Sequence, residues 1–307
     1  MKYIKLSIIW MLTHILADAL QMTPEQSIYG SIHHVKVHKG QAFIDIAEQY
    51  GIGVDALEAA NPHVPVKHLK AGTQLLLPTM YILPSIRDGI VINLPEKRLY
   101  YFSKNTVYIF PVAIGRVHHE SSVGLFSITE KRYLPIWTVP ASVLKEERAK
   151  GNYLPAVFQN GPENPLGDYA MRLSHGSTLI HSTNFTPSIG KRSTSGCFSM
   201  YHKDIEKLFS LVSKGTKVTV INEPIKIATT ASGIYIESHP TLQQTNNHGF
   251  RQPSASEIHY NIAYYEKKFP QVNPLDLYAV FSENMGVPLP MEKTHATRIH
   301  KTRFSSQ

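Results

Sequence analysis

The stretch 90–112, IVINLPEKRLYYFSKNTVYIFPV, indicates the fold of the central part of the chain. It divides into three short apolar or alternating runs, at 90–94, 99–102 and 107–112, and polar residues typical of turns separate them. Runs of this length that are rich in Val, Ile, Tyr and Phe predict β-strands joined by tight turns. The stretch therefore favours a mainly β fold.

The β pattern continues beyond this stretch, and one helix interrupts it. Ile205, Leu208, Phe209 and Val212 share one helical face, and Gly215 stands just past the predicted end of that helix. A doubly wound α/β sheet would need many more helices. The prediction is a β-sandwich or barrel-like domain over residues 88–222 with one or two helices, whose further strands are 124–129, 169–173, 178–181 and 217–221.

A smaller α+β unit precedes this domain at residues 34–79. Alternation at 35–37 predicts a strand, apolar periodicity at 43–50 and 54–60 predicts two helices, and 75–77 predicts a closing strand. The order is β-α-α-β. A unit that only packs on its neighbour would show the same pattern.

This unit resembles the LysM module, a binder of cell-wall glycan. Gln41 stands where that family usually has Asp, which affects one turn. The resemblance implies that the unit binds glycan containing N-acetylglucosamine, and it is carried by Val35, Val37, Gly40, Ile46-Ala47, Tyr50-Gly51, Leu57, Ala60-Asn61-Pro62, Leu69, Gly72 and Leu77-Pro78.

The two ends of the chain have the composition of an export signal and a basic tail. Residues 1–19 run from a basic start through an apolar stretch to Ala17-Asp18-Ala19, which predicts a signal peptide cleaved near Leu20. A buried helix or an uncleaved anchor is the alternative. Residues 20–33 are predicted to be a linker, and 223–307 a C-terminal extension whose end, 294–307, is a disordered basic tail. Export implies a location in the periplasm or cell wall, with no stable membrane span in the mature chain.

The net charge limits the possible partners, and the single cysteine limits the possible roles of its thiol. A formal net charge of +8 favours anionic partners, among them wall polymers, membranes and nucleic acid. Export argues against nucleic acid. Cys197 is the only cysteine, so it forms no internal disulfide, and it is either an inert buried residue or a reactive thiol.

Cys197 has the surroundings expected of a nucleophile. A thiol must lose its proton to attack a carbonyl, and His181, at the end of a predicted strand, could accept it. Cys197 lies sixteen positions after His181, enough for a loop that turns at Gly190. Ser195-Gly196 directly before Cys197 would allow close approach, and the N–H groups of Gly196 and Cys197 could face a developing oxyanion.

The same region resembles the L,D-transpeptidase family of the YkuD type over residues 88–222. The resemblance implies Cys197 as nucleophile and His181 as base, with His181 oriented by the backbone carbonyl of Ser182. It is carried by 91–94 with 98–100, 137–140, 161–167, 171–173, 180–184, 188–190, 194–200, and then Asp204, Leu208 and Gly215-Thr216.

Ser199 departs from that family, many of whose members have Arg at this position. A guanidinium clasps a carboxylate in a bidentate fashion and a hydroxyl does not, so the substrate range is affected. Arg172 or Arg192 is the suggested replacement. The predicted substrate-binding and oxyanion residues are Ser195, Gly196, Ser199, Asn184 and Arg192.

The resemblance implies two-step acyl transfer on peptidoglycan. Cys197 would displace the terminal D-Ala of a tetrapeptide stem and form a thioester, which an amine then attacks. An amine of another stem gives a 3→3 crosslink, and a lysine of a wall lipoprotein gives an anchor. Water or a free D-amino acid gives trimming or exchange. No cofactor is expected.

Three other interpretations compete with this one. A wall cysteine hydrolase would pair Cys197 with His239 or His248, although the chain after Cys197 does not begin a helix as such enzymes do. A non-catalytic wall binder would use the LysM unit alone. The histidine groups at 33–38 and 118–119 lack the carboxylate or cysteine partners of a metal site, so no metal is expected.

Overall fold

The computed structural model describes residues 20–23 and 26–292 of the chain. The predicted signal peptide, 1–19, and the predicted basic tail, 294–307, lie outside these residues. Within the described ranges, no helix is both long and apolar enough to cross a membrane.

The N-terminal unit has the predicted β-α-α-β order. Its strands β3 and β4 pair antiparallel, with His33 opposite Leu77, and its two helices cover a small apolar core. Asn61 closes the unit because its side chain bonds Leu57 O and both backbone polar groups of Leu76. The elements of this part are β1 (Leu20–Gln21), β2 (Ile28–Gly30), β3 (His33–Lys36), α1 (Phe43–Gln49), α2 (Val54–Ala59), β4 (Gln74–Leu77) and β5 (Met80–Ile82).

The prediction that residues 20–33 form a linker is wrong. β1 pairs with the edge of the main sheet, and β2 pairs with β5. Tyr29 is fully buried in an apolar cluster with Leu83 and Val91. Strands of two or three residues are too short to show a period in the sequence, which is why composition alone suggested a linker.

The central part of the chain is built on one curled nine-stranded sheet, so the mainly β prediction is confirmed. The strand order is β1-β8-β7-β6-β17-β10-β13-β14-β16. The elements are β6 (Gly89–Asn93), β7 (Arg98–Ser103), β8 (Thr106–Pro111), β9 (Ile114–Gly115), β10 (Gly124–Tyr133), β11 (Trp137–Thr138), α3 (Ala141–Ala149), β12 (Val157–Phe158), β13 (Tyr169–Leu173), β14 (Leu179–His181), β15 (Arg192–Thr194), β16 (Phe198–Ser199), α4 (His202–Leu211) and β17 (Lys217–Ile221).

The long strand β10 explains the curl of this sheet. Its first part pairs with β17 and its second part with β13, and the register shifts between Ile128 and Glu130. An irregularity of this kind bends a strand and increases its twist. The concave face holds the main apolar core, against which α4 packs through Ile205 and Leu208. The predicted helix near residue 205 is confirmed.

The C-terminal extension has its own core. A three-stranded sheet of β18, β19 and β22 packs against two helices around Ile236, Leu277 and Phe281. The second helix ends at Asn284, which adopts the left-handed conformation. The elements are β18 (Ile225–Thr230), β19 (Gly233–Ser238), β20 (Thr245–Asn246), β21 (Gly249–Phe250), α5 (Ala255–Lys268), α6 (Pro274–Glu283) and β22 (Leu289–Met291).

Candidate active site

The pairing of β14 with β16 brings Cys197 and His181 to one face of the sheet. The two strands run parallel, with Ile180 opposite Phe198 and His181 opposite Ser199. Ile180 and Phe198 point into the main core. Because successive side chains of a strand alternate, His181, Cys197 and Ser199 point to the other face.

That face forms the floor of an open cleft of about 450 Å³. Cys197 and Ser199 are two residues apart in an extended chain, so roughly 7 Å separates them. Ser199 is the residue opposite His181, and the thiol therefore lies about that distance from the residue paired with the base. The cleft lining includes the predicted site residues His181, Asn184, Ser195, Cys197 and Ser199. The geometry thus gathers most of the residues that the sequence singled out.

His181 is held as a neutral imidazole. It is 7% exposed, and burial lowers its pKa to about 4, although the hydrogen bond to Ser182 opposes this shift. Nδ1 lies 2.5 Å from the carbonyl oxygen of Ser182, which can only accept, so Nδ1 carries the proton. Nε2 then has a free lone pair and lies 3.3 Å from Ser199 Oγ at the cleft floor. Such a nitrogen can accept a proton from a neighbouring thiol.

Cys197 is a partly exposed free thiol. Burial raises its pKa, while the N–H of Leu179, which donates to Sγ over 3.4 Å, and the charge of Arg172 oppose the rise. The resting thiol is therefore protonated at neutral pH. A base is needed to generate the thiolate.

The turn before Cys197 uses Gly196 differently from the prediction. Gly196 has φ +103°, and its N–H donates to Thr194 Oγ1 over 3.3 Å. Thr194 Oγ1 in turn donates to Cys197 O over 2.6 Å. The Gly196 N–H is therefore engaged within the turn rather than aimed at the cleft. The N–H of Cys197 has no acceptor among the described residues.

Arg192 does not reach the cleft. Its side chain is buried, and it donates to the carbonyls of Gly115, Leu242 and Thr245 and to the carboxylate of Glu120. Each of its nitrogens has an acceptor, and Nη1 joins the C-terminal extension to this part of the chain through Leu242 and Thr245. Arg192 is not among the residues that line the cleft, so Arg172 is the remaining candidate of the two arginines suggested to replace the family guanidinium.

Asn184 and Ser182 are structural neighbours of the pair. Asn184 Nδ2 donates to Pro162 O over 3.0 Å and links two loops at the cleft rim. The Ser182 hydroxyl is buried and has no hydrogen-bond partner among the described residues, so the backbone carbonyl is the group of Ser182 that contacts His181. A glycine would supply the same carbonyl.

Sequence reasoning missed a polar network that supports the turn before Cys197. Arg116 Nη1 donates to Ser195 Oγ over 2.5 Å, and Arg116 Nη2 donates to Glu146 on α3, also over 2.5 Å. His119 Nε2 is 3.3 Å from the same carboxylate. The network joins α3 to the nucleophile turn. The i,i+4 spacing of Glu146 and Lys150 is a weak signal for this helix in the sequence.

The N-terminal unit packs directly on the loop between His181 and Cys197. The N–H of Val54 donates to Ile189 O over 3.1 Å. A Cβ placed on Gly53 would lie 2.8 Å from Gly190 Cα, so the two glycines are in backbone contact. Tyr201, just beyond the nucleophile strand, donates to Ile52 O over 3.1 Å. The unit is thus part of the support of the site.

His239, the histidine of the hydrolase hypothesis, lies in a different cluster. Its Nε2 is 2.7 Å from Glu237 Oε1, and Glu96 is also close. Among the described residues, Glu96, Glu237 and His239 are the one set whose geometry resembles a metal site. Lys226 and Arg98 each contact both carboxylates, so two positive charges already balance the two negative charges. An added metal ion would leave the cluster with an uncompensated positive charge. His239 does not line the cleft.

Models of two protein families match the chain in two separate regions. A family model of the L,D-transpeptidase catalytic domain matches residues 87–220, and one of the LysM domain matches residues 35–78. The two matches place a LysM domain before an L,D-transpeptidase catalytic domain in this chain.

Sequence relatives identify the family. Probable L,D-transpeptidase YcfS of Escherichia coli (strain K12) is 39% identical over 219 residues, covering 69% of this chain and 68% of that protein. Probable L,D-transpeptidase ErfK/SrfK of the same strain is 37% identical over 237 residues, covering 75% and 76%. The chain belongs to the L,D-transpeptidase family, as the sequence motifs predicted. A solved L,D-transpeptidase from Mycobacterium tuberculosis H37Rv, 18% identical, aligns with a TM-score of 0.35 over 44% of this chain and 58% of that chain.

Proposed function

We propose that this protein is a peptidoglycan L,D-transpeptidase in which Cys197 is the nucleophile and His181 its base. The observation that carries the proposal is the parallel pairing of β14 and β16, which sets both side chains on the floor of one cleft. A neutral imidazole and a protonated thiol in the lining of the same cleft are the starting state that base-activated nucleophilic catalysis needs.

The first half-reaction forms a thioester. His181 Nε2 takes the thiol proton as Sγ of Cys197 attacks the carbonyl that links the L-centre of the stem diamino acid to the terminal D-Ala. The tetrahedral intermediate collapses when the C–N bond breaks and the imidazolium returns its proton to the departing amine of D-Ala. The backbone N–H of Cys197, which has no other acceptor in the described part of the chain, is the proposed oxyanion donor.

The second half-reaction passes the acyl group to an amine. His181 accepts a proton from the incoming amine, the amine nitrogen attacks the thioester carbonyl, and the thiolate of Cys197 leaves and is reprotonated. A diamino acid side chain gives a 3→3 crosslink, and a lysine of a wall lipoprotein gives an anchored protein. Water gives trimming of the stem. The openness of the cleft supports access of an acceptor amine from solvent.

The remaining predicted site residues support the pair. The Ser182 carbonyl fixes the tautomer of His181, and the Ser199 hydroxyl contacts Nε2 until the thiol replaces it. Ser195, held by Arg116, and Gly196, with its positive φ, shape the turn that presents Cys197. Loss of these supports would change the position of the nucleophile rather than its chemistry.

We further propose an exported, wall-bound enzyme. Residues 1–19 would direct export to the periplasm and be removed. The LysM module, 34–79, would bind wall glycan beside the catalytic domain, 88–222, and the extension 223–307 would support that domain through contacts such as those of Arg192 with Leu242 and Thr245. Binding of glycan close to the cleft would raise the local concentration of stem peptides.

Product analysis with purified muropeptides tests the function. Incubation of the protein with disaccharide-tetrapeptides, followed by mass spectrometry, is expected to show release of D-Ala and formation of 3→3 dimers. Cys197→Ala is expected to abolish both products. A wild-type protein that binds muropeptides but releases no D-Ala would instead favour a non-catalytic wall binder. A carbapenem adduct on Cys197, found by intact mass, would exclude that alternative.

A further inference from the structure

A second compartment opens from the cleft beyond Cys197. It has a floor at Ala170 and shares Trp137, Pro140, Leu166 and Leu179 with the cleft. Its volume is about 140 Å³, which suits one small group rather than a whole residue chain. The compartment and the cleft therefore form one continuous surface for a bound peptide.

The sheet register places three charged side chains at this compartment. Glu130 lies opposite Arg172 and Arg132 lies opposite Ala170, while Arg172 lies opposite Leu179. Lys131, between the two β10 residues, points to the other side of the sheet, where it donates to Phe209 O and Val212 O. The alternation of the strand therefore sends Glu130, Arg132 and Arg172 to the face that carries the thiol.

These side chains leave one net positive charge facing solvent. Glu130 accepts from Arg132 Nε over 2.6 Å and lies 3.6 Å from Arg172 Nε. Both contacts use the Nε atoms. The Nη atoms of Arg132 and Arg172 have no acceptor among the described residues. The side chains of Arg132 and Arg172 remain 52% and 43% exposed, so a ligand can reach them.

The distance from the nucleophile fits a carboxylate near the scissile bond. Arg172 lies two strands from Cys197, or about 10 Å between Cα atoms. An extended peptide advances about 3.3 Å per residue, so a carboxylate one residue from the attacked carbonyl falls between the thiol and the guanidinium. Arg172 is close enough to Cys197 that its charge opposes the rise in the thiol pKa that burial causes.

We propose that Arg172, assisted by Arg132, forms a subsite that binds a carboxylate of the donor stem peptide while Cys197 attacks the adjacent carbonyl. The proposal rests on the proposed transpeptidase function of the cleft. Two carboxylates of the stem have the right chemistry: the terminal carboxylate of D-Ala and the side-chain carboxylate of the diamino acid. The planar guanidinium suits either, because it offers two parallel N–H donors.

A cycle of protein and substrate variants tests the subsite. Release of D-Ala is measured as kcat/KM for wild type, Arg172→Gln and Arg132→Gln, with Arg148→Gln as control. Arg148 is an exposed arginine of α3 that does not line the cleft. Each protein is assayed with the free-acid tetrapeptide and with two amidated tetrapeptides. One carries an amide at D-Ala, and the other carries it on the diamino acid side chain.

Arg172→Gln is expected to lower kcat/KM about 10-fold on the free acid, because a charge-assisted hydrogen bond is lost. Arg132→Gln should cost less, and Arg148→Gln nothing. When the carboxylate that Arg172 binds is amidated, Arg172→Gln and wild type should have the same kcat/KM on that peptide. The amidated peptide on which the two proteins agree therefore identifies the bound carboxylate. Iodoacetamide has no carboxylate, so the rate at which it alkylates Cys197 shows whether a variant has changed the reactivity of the thiol itself rather than the binding of a carboxylate.

Two results would overturn the subsite. Wild-type turnover with no loss in Arg172→Gln, or with the same loss on all three peptides, would exclude it and leave the proposed function standing. A wild-type protein that releases D-Ala from none of the peptides would overturn the function, and the subsite with it.

Discussion

The cleft and the buried charge cluster each contain a buried histidine, but they satisfy it in different ways. Burial lowers the pKa of both His181 and His239. His181 is fixed by a backbone carbonyl at Nδ1, and its Nε2 faces the cleft. His239 instead contacts the carboxylate of Glu237, within a cluster that Lys226 and Arg98 complete. Only the first has a nitrogen available to a substrate.

The two regions therefore have different roles, since the cleft serves catalysis and the charge cluster serves stability. The charge cluster joins three segments, because Glu237 also accepts from the N–H of Ile82, and Lys226 donates to the carbonyl of Ile82. Its groups satisfy one another and exclude outside ligands. Changes in the cleft should therefore reduce activity at nearly constant stability, and changes in the cluster should do the reverse.

The largest expected effect is that of His181→Ala on turnover. Without the base, the raised thiol pKa leaves Cys197 protonated, and kcat should fall by about 10³-fold. The melting temperature should change far less, since the buried ring makes one backbone hydrogen bond, to Ser182, and its other nitrogen faces the cleft. Both are measured on the full chain by D-Ala release and thermal unfolding. A loss of activity that follows a loss of folded protein would contradict this assignment.

Glu237→Gln should have the largest effect on stability. It leaves Lys226 and Arg98 to share the single carboxylate of Glu96, and breaking a buried ionic network in this way costs about 3–5 kcal/mol. Denaturant unfolding measures the change. Glu163→Gln, at an exposed site, is the matched control and should be neutral. Equal stability of the two variants would show that the cluster does not hold the extension.

The pH dependence of kcat/KM should have an unusually low acid limb. The base must be unprotonated in the free enzyme, and the pKa of His181 is lowered to about 4. Activity should therefore persist through pH 6 and fall only near pH 4, as the imidazole gains its proton. Initial rates from pH 4 to 8, with circular dichroism as a check on folding, measure this. A midpoint near 6.5 would mean that His181 is solvated.

Gly53→Ala should give the smallest effect, through the support of the cleft by the LysM module. Gly53 has φ −69°, which alanine adopts without strain, so the cost comes from the contact with Gly190. We expect a several-fold loss of kcat with glycan binding retained. Lys39→Ala, exposed on the same module, should change neither. Unchanged turnover in Gly53→Ala would show that the loop does not depend on the module.

Much of the fold follows from local patterns in the sequence. The strands at 169–173 and 217–221 occur with the predicted bounds, because each is a buried run of ordinary length. The strands at 20–21 and 28–30 were missed because their stability comes from pairing with distant segments. Helix α3 was missed because none of its residues is buried, so it has no apolar stripe.

The candidate site likewise combines residues that the sequence identified with contacts that it did not predict. Family motifs pointed to Cys197 and His181, and the structure brings both to one cleft. The use of the Gly196 N–H within its own turn, and of Arg192 in holding the extension, depend on contacts that no spacing reveals. The charges of Arg132 and Arg172 meet only through strand register, which a one-residue shift would reverse.

Peptide mapping of the acyl-enzyme tests the central claim most directly. Wild type, His181→Ala and His239→Ala are mixed with a tetrapeptide stem, quenched within the first turnover, digested and analysed by mass spectrometry. The account predicts an acyl group on the peptide that contains Cys197 in wild type and in folded His239→Ala, and none in His181→Ala. Acylation at another residue, or its loss in His239→Ala alone, would contradict it.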